Sequence, residues 1–419
     1  MLTMGQKKAV TRELKDRYRK SSKKEKTIML DEFIRLTSYS RSYAARALRL
    51  KEVLGYMHIG GKRVRLVRDK RKIKRKKKKI YDEGVLVSLK EIWKIDDYIC
   101  SKRLAPFLSE IIPVLEKWEE IKLDTKVREK LFKISAATID RLLTETRKRF
   151  RIKGRSTTRP GSLLKKSIPI RTFADWDEKV PGFFEVDLVS HDGGAARGDF
   201  IQSLNFTDIA TGWEEMIAVK NKAQVWVFAG IENIKERLPF SILGLDSDNG
   251  NEFINAHLLR YCEKEHITFT RSRPYRKNDS CFVEQKNYSV IRRAVGYGRY
   301  DTMEELVVLN ELYSHLRLYV NFFQPVRKLI KKERTGSKVI KRYDESKTPY
   351  RRVLASPDIK DKIKVKLKSK YDMLNPAELK RKITKLQNRL LKLNALKQEM
   401  RKELDKSAKP SSRFEYIST

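Results

Sequence analysis

Between residues 181 and 295 the chain alternates strand-like and helix-like stretches in an order that few folds accommodate. Three strand-like runs come first, at residues 183–190, 200–209 and 213–219, with Gly212 at the turn between the last two. A helix (222–237), a strand (241–246), a helix (251–265), a strand (267–272) and a helix (280–295) follow. The pattern predicts an α/β domain with three antiparallel strands and further strands connected through helices.

Three carboxylates fall at notable points of this pattern. Asp187 lies in the first strand, Asp248 follows the fourth, and Glu284 lies in the last helix, with 35 residues between Asp248 and Glu284. Carboxylates gathered at one point repel each other, and divalent cations offset that repulsion. Two such cations roughly 3.5–4 Å apart support in-line displacement at a phosphodiester. The three residues therefore predict a metal-dependent enzyme that acts on nucleic acid.

The charge of the chain points to the same partner. With 95 Lys plus Arg against 54 Asp plus Glu, the formal net charge is +41, which favours nucleic acid over a membrane or an acidic protein. The sequence has no apolar run of about eighteen residues, and residues 1–8 lack the apolar core of a signal peptide. We therefore expect a cytoplasmic, nucleoid-associated protein of a bacterium or archaeon.

Residues 1–61 predict a helix-turn-helix DNA-binding module. Apolar residues recur at helical spacing from Lys23 to Leu36, and after a short polar turn a second helix runs from Arg41 to Leu50. This second helix presents Arg41, Arg46 and Arg49 to a DNA groove, although an ordinary helical hairpin is the alternative. In residues 62–79, 13 of 18 residues are Lys or Arg, so residues 62–80 are expected to form a basic linker.

Residues 81–150 predict a second helical DNA-binding module, with a helix-turn-helix formed by helices 126–132 and 136–150 and with Ser135 as the N-cap of the latter. Residues 151–175 follow as a second basic linker. Its residues Lys153, Arg155 and Arg159 suit an arm that tracks a minor groove, and a plain interdomain linker is equally compatible with this composition.

The C-terminal part is expected to comprise a basic region (326–372) and a long helix in residues 373–419 that begins after Asn375-Pro376. Apolar residues of this helix follow alternating spacings of four and three, broken once by Lys397. Self-association through a coiled coil and folding back onto the chain's own domain are both open. The apolar residues are Leu379, Ile383, Leu386, Leu390, Leu393, Met400 and Leu404.

The most specific string of the chain is Asp246-Ser247-Asp248-Asn249-Gly250. With Phe184-Glu185-Val186-Asp187 before it and Val283-Glu284-Gln285-Lys286-Asn287 after it, the sequence resembles the DDE transposases and retroviral-type integrases over about residues 176–355. Among these it looks most similar to bacterial insertion-sequence transposases. The resemblance implies a ribonuclease H-like catalytic domain at residues 176–325, with a mixed five-stranded sheet and flanking helices.

The resemblance also implies the chemistry of the site. Asp187, Asp248 and Glu284 would be catalytic and would hold two Mg²⁺ ions, with Mn²⁺ as a substitute, because oxygen ligands suit hard cations. Asp246 competes with Asp248 for the second position, and strand alternation gives it a supporting place on the same face. The implied reaction is 3′-end cleavage of element ends followed by strand transfer into target double-stranded DNA, by a homo-oligomer assembled on DNA.

Further DNA contacts are predicted beside the carboxylates. Arg276 and Lys277 lie in a loop, whereas Lys286, Asn287 and Arg292 follow Glu284 on the same helix. Two alternative functions remain open at this point. One is a transposase-derived protein that binds DNA without cutting it, and the other is a metal-dependent nuclease without strand transfer.

Overall fold

A computed structural model of the protein describes residues 2–49, 53–67, 80–148, 170–171, 180–248, 250, 252–253, 256–272, 281–335 and 338–407. The chain divides into two compact units, Met1–Lys79 and Ile80–Thr419. Within the described residues, no helix is both long and apolar enough to cross a membrane. The predicted DNA contacts Lys153, Arg155, Arg159, Arg276 and Lys277 lie outside the described residues.

The first unit contains three helices and a hairpin. Helices α1 (Met4–Lys20), α2 (Lys23–Thr37) and α3 (Arg41–Arg49) pack around a small apolar core centred on Phe33 and Leu48. Helices α2 and α3 lie where the sequence predicted two helices, and Ala44, Ala47 and Leu48 of α3 are buried.

Strands β1 (Val53–Ile59) and β2 (Lys62–Val67) follow as an antiparallel hairpin. Its turn residues Gly60 and Gly61 have φ of 57° and 76°, the conformation that a two-residue hairpin loop needs. Residues 62–67, expected in a basic linker, thus form a strand instead. The alternation of Arg63, Val64, Arg65 and Leu66 carried this signal, and the overall charge of the segment concealed it.

The second unit starts with four helices: α4 (Glu83–Ile95), α5 (Ser101–Lys117), α6 (Thr125–Phe132) and α7 (Ala136–Lys148). Ser135 accepts the N–H of Thr138 through its side chain, which confirms its capping role. These helices share one continuous apolar core with the rest of the unit, so the predicted second module is built into the body that carries the sheet.

Asp97 is a junction between these helices and the remainder of the unit. It lies in the turn after α4, with φ of 53°. Lys380 Nζ contacts its Oδ1 at 2.6 Å, and Arg293 Nη2 lies 3.2 Å from its Oδ2 and donates to its backbone oxygen at 2.6 Å. One turn thereby holds two segments that are distant in sequence.

The sheet of the second unit has the three antiparallel strands, followed by strands connected through helices, that the sequence predicted. Strands β4 (Phe183–Ser190), β5 (Gln202–Asp208) and β6 (Glu214–Val219) are antiparallel, and β7 (Gly244–Ser247) and β8 (Thr268–Ser272) join parallel to β4. A two-residue strand, β3 (Ile170–Arg171), extends the five predicted strands at the edge beside β8. Strand order is therefore β3-β8-β7-β4-β5-β6.

Helices cover the sheet. They are α8 (Gln224–Arg237), α9 (Ala256–Lys264), α10 (Cys281–Lys286), α11 (Arg293–Val295) and α12 (Met303–Phe323), and a π-helical turn (Asn287–Arg292) joins α10 to α11. Residues 281–295 thus form the single helix that the sequence predicted, with an altered pitch in its middle. Strand β6 packs against both α8 and α12.

The basic region 326–372 contains a hairpin and two helices, and the predicted long helix follows it. Strands β9 (Leu329–Thr335) and β10 (Lys338–Tyr343) form a hairpin, and helices α13 (Pro349–Ala355), α14 (Asp361–Asp372) and α15 (Pro376–Ser407) follow. The side chain of Asn375 accepts the N–H groups of Ala377 and Glu378 at the start of α15, as a cap does.

Helix α15 folds back onto α12. Its residues Leu379, Ile383, Leu386 and Leu390 are buried in the core of the unit, whereas Met400 and Leu404 are exposed. Lys397, which breaks the apolar spacing, is paired: its Nζ lies 2.9 Å from Asp301 Oδ1 and 2.6 Å from Glu305 Oε1. The break in the apolar pattern is therefore an ion-pair site within the fold.

We predict that Lys397→Met destabilises the protein, although it would make the apolar pattern of α15 more regular. The carboxylate of Glu305 is 1% exposed and would lose its cation, a change that costs about 3 kcal/mol or more. Urea unfolding measures the loss. Lys392→Met, at an exposed position of the same helix, is the matched control and should stay within about 0.5 kcal/mol of wild type. Equal stabilities of the two variants would contradict the prediction.

Candidate active site

The parallel pairing of β4 with β7 brings the first two predicted carboxylates together. Glu185 lies opposite Asp246 and Val186 opposite Ser247, so the next steps along the two strands lead to Asp187 and Asp248. Asp187 and Asp248 are partly buried, whereas Glu284 is exposed on α10, which contacts β4 and β5. The structure thus gathers the three residues on neighbouring elements at one end of β7.

The electrostatics of Asp187 show the proximity of the other two. Burial, the charge of Asp248 and the charge of Glu284 raise the pKa of Asp187 to about 8, against hydrogen bonds that lower it. Those bonds come from neutral donors: the N–H of Leu188 at 2.8 Å and the side-chain amide of Asn287 at 2.6 Å. Ionised together, the three carboxylates therefore repel each other, and a divalent cation would relieve that repulsion.

The ligand atoms of the three residues suit a hard divalent cation, but their positions do not form a metal site. All three predicted ligands offer carboxylate oxygens, the type that Mg²⁺ prefers. Among the residues whose placement is described, however, no three acidic, His or Cys side chains lie close enough to ligate one ion together. Oδ2 of Asp187 instead accepts a hydrogen bond from the side-chain amide of Asn287. The residues are collected in one region without forming a complete coordination shell.

Gly250 explains part of the Asp-Asn-Gly string. Its N–H donates to Asp248 Oδ1 at 2.8 Å and fixes that carboxylate at the strand end. A Cβ at this position would lie 2.9 Å from Asp248 Oδ1 and 2.6 Å from Cδ of Glu252. A side chain at this position would therefore require the carboxyl groups of Asp248 and Glu252 to shift.

Asp246, the competitor of Asp248, has a different environment. It is buried, and its Oδ1 accepts a hydrogen bond from Thr270 Oγ1 at 2.5 Å. It belongs to a row of buried polar residues that crosses five strands beneath the predicted site. The row consists of Glu214, Thr207, Glu185, Asp246 and Thr270. This burial favours a supporting role for Asp246, as its place on the strand suggested.

The helix residues predicted to meet DNA have structural partners instead. Lys286 is buried, and its Nζ lies 2.7 Å from Glu214 Oε2. Asn287 donates to Asp187 and accepts from Asn205 Nδ2 at 2.9 Å. Arg292 donates to the backbone oxygens of Ser190 and Gly296. The polar groups of the three residues hold the helix to the sheet, so they would have to give up these contacts to bind DNA.

The cations of α3 are placed differently from those of α10. Arg41 and Arg49 are exposed, and Arg41 forms an ion pair with Asp31 of α2. The guanidinium of Arg46 lies over the ring of Tyr43, 5.5 Å from its centroid. A pair between exposed groups stabilises little, so Arg41 can exchange Asp31 for a phosphate at low cost.

Sequence reasoning overlooked Glu185 and Asn205 as parts of the site. Glu185 Oε2 accepts the N–H of Val283 at 2.7 Å, and Asn205 contacts Asn287. Strand alternation was an available signal for Glu185, because it places Glu185 on the same face as Asp187. No comparable signal exists for Asn205, whose partner lies 82 positions away.

We predict that the stabilisation of the protein by Mg²⁺ increases between pH 6 and pH 8. The pKa of Asp187 is raised to about 8, so below that pH a metal ion must displace a proton, and affinity should rise roughly tenfold per pH unit. The shift in melting temperature with Mg²⁺ measures this. Asp248→Asn should reduce the shift, and a shift that is equal at both pH values would contradict the assignment.

Comparison with known proteins gives one close sequence relative and several distant structures. No protein-family model matches this sequence. The solved structures include the catalytic core domain of BIV integrase, with 18% identity, 41% of this chain and 91% of that chain covered, and a TM-score of 0.27. They also include the HTLV-2 integrase catalytic core domain in complex with magnesium, with 14% identity, 35% and 91% coverage, and a TM-score of 0.26.

A third structure, the simian T-cell lymphotropic virus intasome in complex with PP2A regulatory subunit B56 gamma, has 14% identity, 51% and 70% coverage, and a TM-score of 0.30. In sequence, the chain is 39% identical over 337 residues to the uncharacterized protein y4rM of Sinorhizobium fredii, covering 80% of this chain and 92% of the relative. The protein therefore belongs to the same family as y4rM.

Proposed function

We propose that the protein is a DNA transposase of an insertion sequence, which binds the ends of its element, cleaves their 3′ ends and transfers them into target DNA. The observation that carries the proposal is the arrangement of Asp187, Asp248 and Glu284 on and beside a mixed sheet, where burial and the charges of Asp248 and Glu284 raise the pKa of Asp187. A site of repelling carboxylates in a chain of net charge +41 suits a phosphodiester substrate.

The three carboxylates would hold two Mg²⁺ ions, with Mn²⁺ as a substitute. When bound, the metal would supply activation of the attacking hydroxyl and neutralise charge on the leaving oxygen. The chain's own residues provide position: Gly250 fixes Asp248, and Asn287 fixes Asp187. Asp246 supports the site from the buried row below it.

DNA binding would come from surfaces outside the carboxylate site. Helix α3 presents Arg41, Arg46 and Arg49, and hairpin β1–β2 adds the exposed residue Arg63 beside it in the chain. The basic residues Lys153, Arg155, Arg159, Arg276 and Lys277 would add phosphate contacts. We expect a homo-oligomer on DNA, because the reaction acts on two element ends.

A single experiment separates the proposed function from a nuclease and from a binding protein. The full chain is incubated with Mg²⁺, labelled DNA from the region flanking its coding sequence, and unlabelled target DNA. Joined products support the transposase. Nicking without joining would indicate a nuclease, and retention of DNA without cleavage would indicate a binding protein.

Asp248→Asn should abolish cleavage and joining while DNA affinity stays within about threefold of wild type. The substitution removes one carboxylate from the site and leaves the basic surfaces intact. Gel electrophoresis of labelled products and a gel-shift titration measure the two effects. Asp361→Asn, the same chemical change at a side chain that is 98% exposed, is the control and should remain active. Metal-dependent turnover by Asp248→Asn would show that another aspartate is the second catalytic carboxylate.

DNA binding should weaken steeply as salt increases. The logarithm of affinity is expected to fall with the logarithm of salt concentration at a slope of about −0.9 for each phosphate that the protein neutralises. Arg49→Ala should lower affinity and reduce that slope by about one, because Arg49 is exposed on α3. Affinity that is independent of salt would rule out the phosphate contacts.

A further inference from the structure

Glu185 makes an unusual contact between the strand that carries Asp187 and the helix that carries Glu284. Its side chain is fully buried on β4. Its Oε2 accepts the N–H of Val283 at 2.7 Å. Val283 lies in the first turn of α10, where backbone N–H groups have no partner within the helix.

An acidic residue suits this position electrostatically, but it is costly. The first turn of a helix carries partial positive charge, which favours a carboxylate. Glu185 is nevertheless buried opposite Asp246, and its Oε1 has no hydrogen-bond partner among the described residues. Burial of a carboxyl group in this way is unfavourable, so its contact with α10 needs to provide something that an apolar side chain would not.

The contact fixes the relation between two of the candidate catalytic residues. Glu185 precedes Asp187 by two positions, roughly 6.6 Å along a strand, and lies on the same face. Its partner Val283 is adjacent to Glu284. The hydrogen bond from Val283 to Glu185 therefore attaches the helix that contains Glu284 to the strand that contains Asp187.

A second attachment lies one helical turn further along. Asn287, four residues after Val283, donates to Asp187 Oδ2 at 2.6 Å, and Lys286 pairs with Glu214 of β6. The helix is therefore fastened at its start by Glu185 and at its next turn by Asn287 and Lys286. The first of these attachments is the one directly beside Glu284.

We infer that Glu185 is a positioning residue that sets the separation between Asp187 and Glu284 by binding the first turn of α10. This inference rests on the proposed function of the same site. Glu185 itself acts through the backbone of the helix, and Glu284 remains the group that would meet the metal. Partners that orient metal ligands in this way typically change metal affinity or activity by roughly 10–100-fold when they are removed.

Two variants separate positioning from a general contribution to folding. Glu185→Gln retains a side-chain oxygen that accepts the N–H of Val283. Glu185→Met has a similar length, lacks the acceptor and removes the buried carboxyl group, so its melting temperature should stay within about 5 °C of wild type. Glu304→Met, at an exposed position, controls for the chemical change.

Hydrogen exchange of a peptide containing Phe282 and Val283, Mn²⁺ affinity, and cleavage of labelled DNA are the three measurements. In Glu185→Met we expect faster exchange of this peptide and roughly 10–100-fold weaker Mn²⁺ binding and slower cleavage. Glu185→Gln should stay within a few-fold of wild type. Wild-type exchange and Mn²⁺ affinity in Glu185→Met, or equal impairment of both variants, would overturn the inference.

The exchange measurement keeps this inference separate from the proposed function, because it requires no catalysis. If the wild-type protein neither binds Mn²⁺ nor cuts DNA, the proposed function fails. Faster exchange in Glu185→Met alone would then still support the attachment of α10 by Glu185, and unchanged exchange would refute it.

Discussion

The central constraint on this structure is the repulsion between several buried carboxylates that lie close together on one sheet. Each such group loses hydration, and each ionised neighbour adds repulsion. Most of the buried acids beside the site are compensated by specific partners. Glu214 is paired with Lys286, and Glu215 forms a two-armed contact with Arg317. Asp208 accepts hydrogen bonds from Gly182 and Thr211.

Asp187 differs from Glu214 and Glu215 because its hydrogen bonds come from neutral donors, and it differs from Asp208 because the charges of two other carboxylates raise its pKa in addition to burial. The fold thus gives Glu214 and Glu215 cationic partners and leaves the charge of Asp187 unbalanced. Such local imbalance lowers stability, and proteins retain it where function requires it.

Much of the second unit could be predicted from its sequence because its periodicity is regular. Strand β4 occupies residues 183–190 as expected, and the helix around Glu284 spans 281–295 against a prediction of 280–295. The strings that contain the three carboxylates also predicted that these residues lie near each other, and the charges of Asp248 and Glu284 do act on Asp187. Helix α1, hairpin β1–β2 and hairpin β9–β10 were not, because high Lys and Arg content masks their apolar pattern.

The partners of individual side chains were the least predictable feature. The sequence predicts that Lys286 is an exposed cation on a helix. Its side chain is buried instead and pairs with Glu214, which lies 72 positions earlier. In the sequence, Lys397 interrupts the apolar spacing of α15. In the structure it forms ion pairs with Asp301 and Glu305. Spacing within one element does not reveal contacts between elements, so these roles emerge only when the fold is assembled.

The turn at Asp97 has a mechanical consequence. Through Arg293 it holds the end of the helix that begins at the acidic site, and through Lys380 it holds α15. Helices α4–α7 share the apolar core of the unit that carries the sheet. A displacement of these helices would therefore also act, through the turn at Asp97, on the helix that carries Glu284 and on α15.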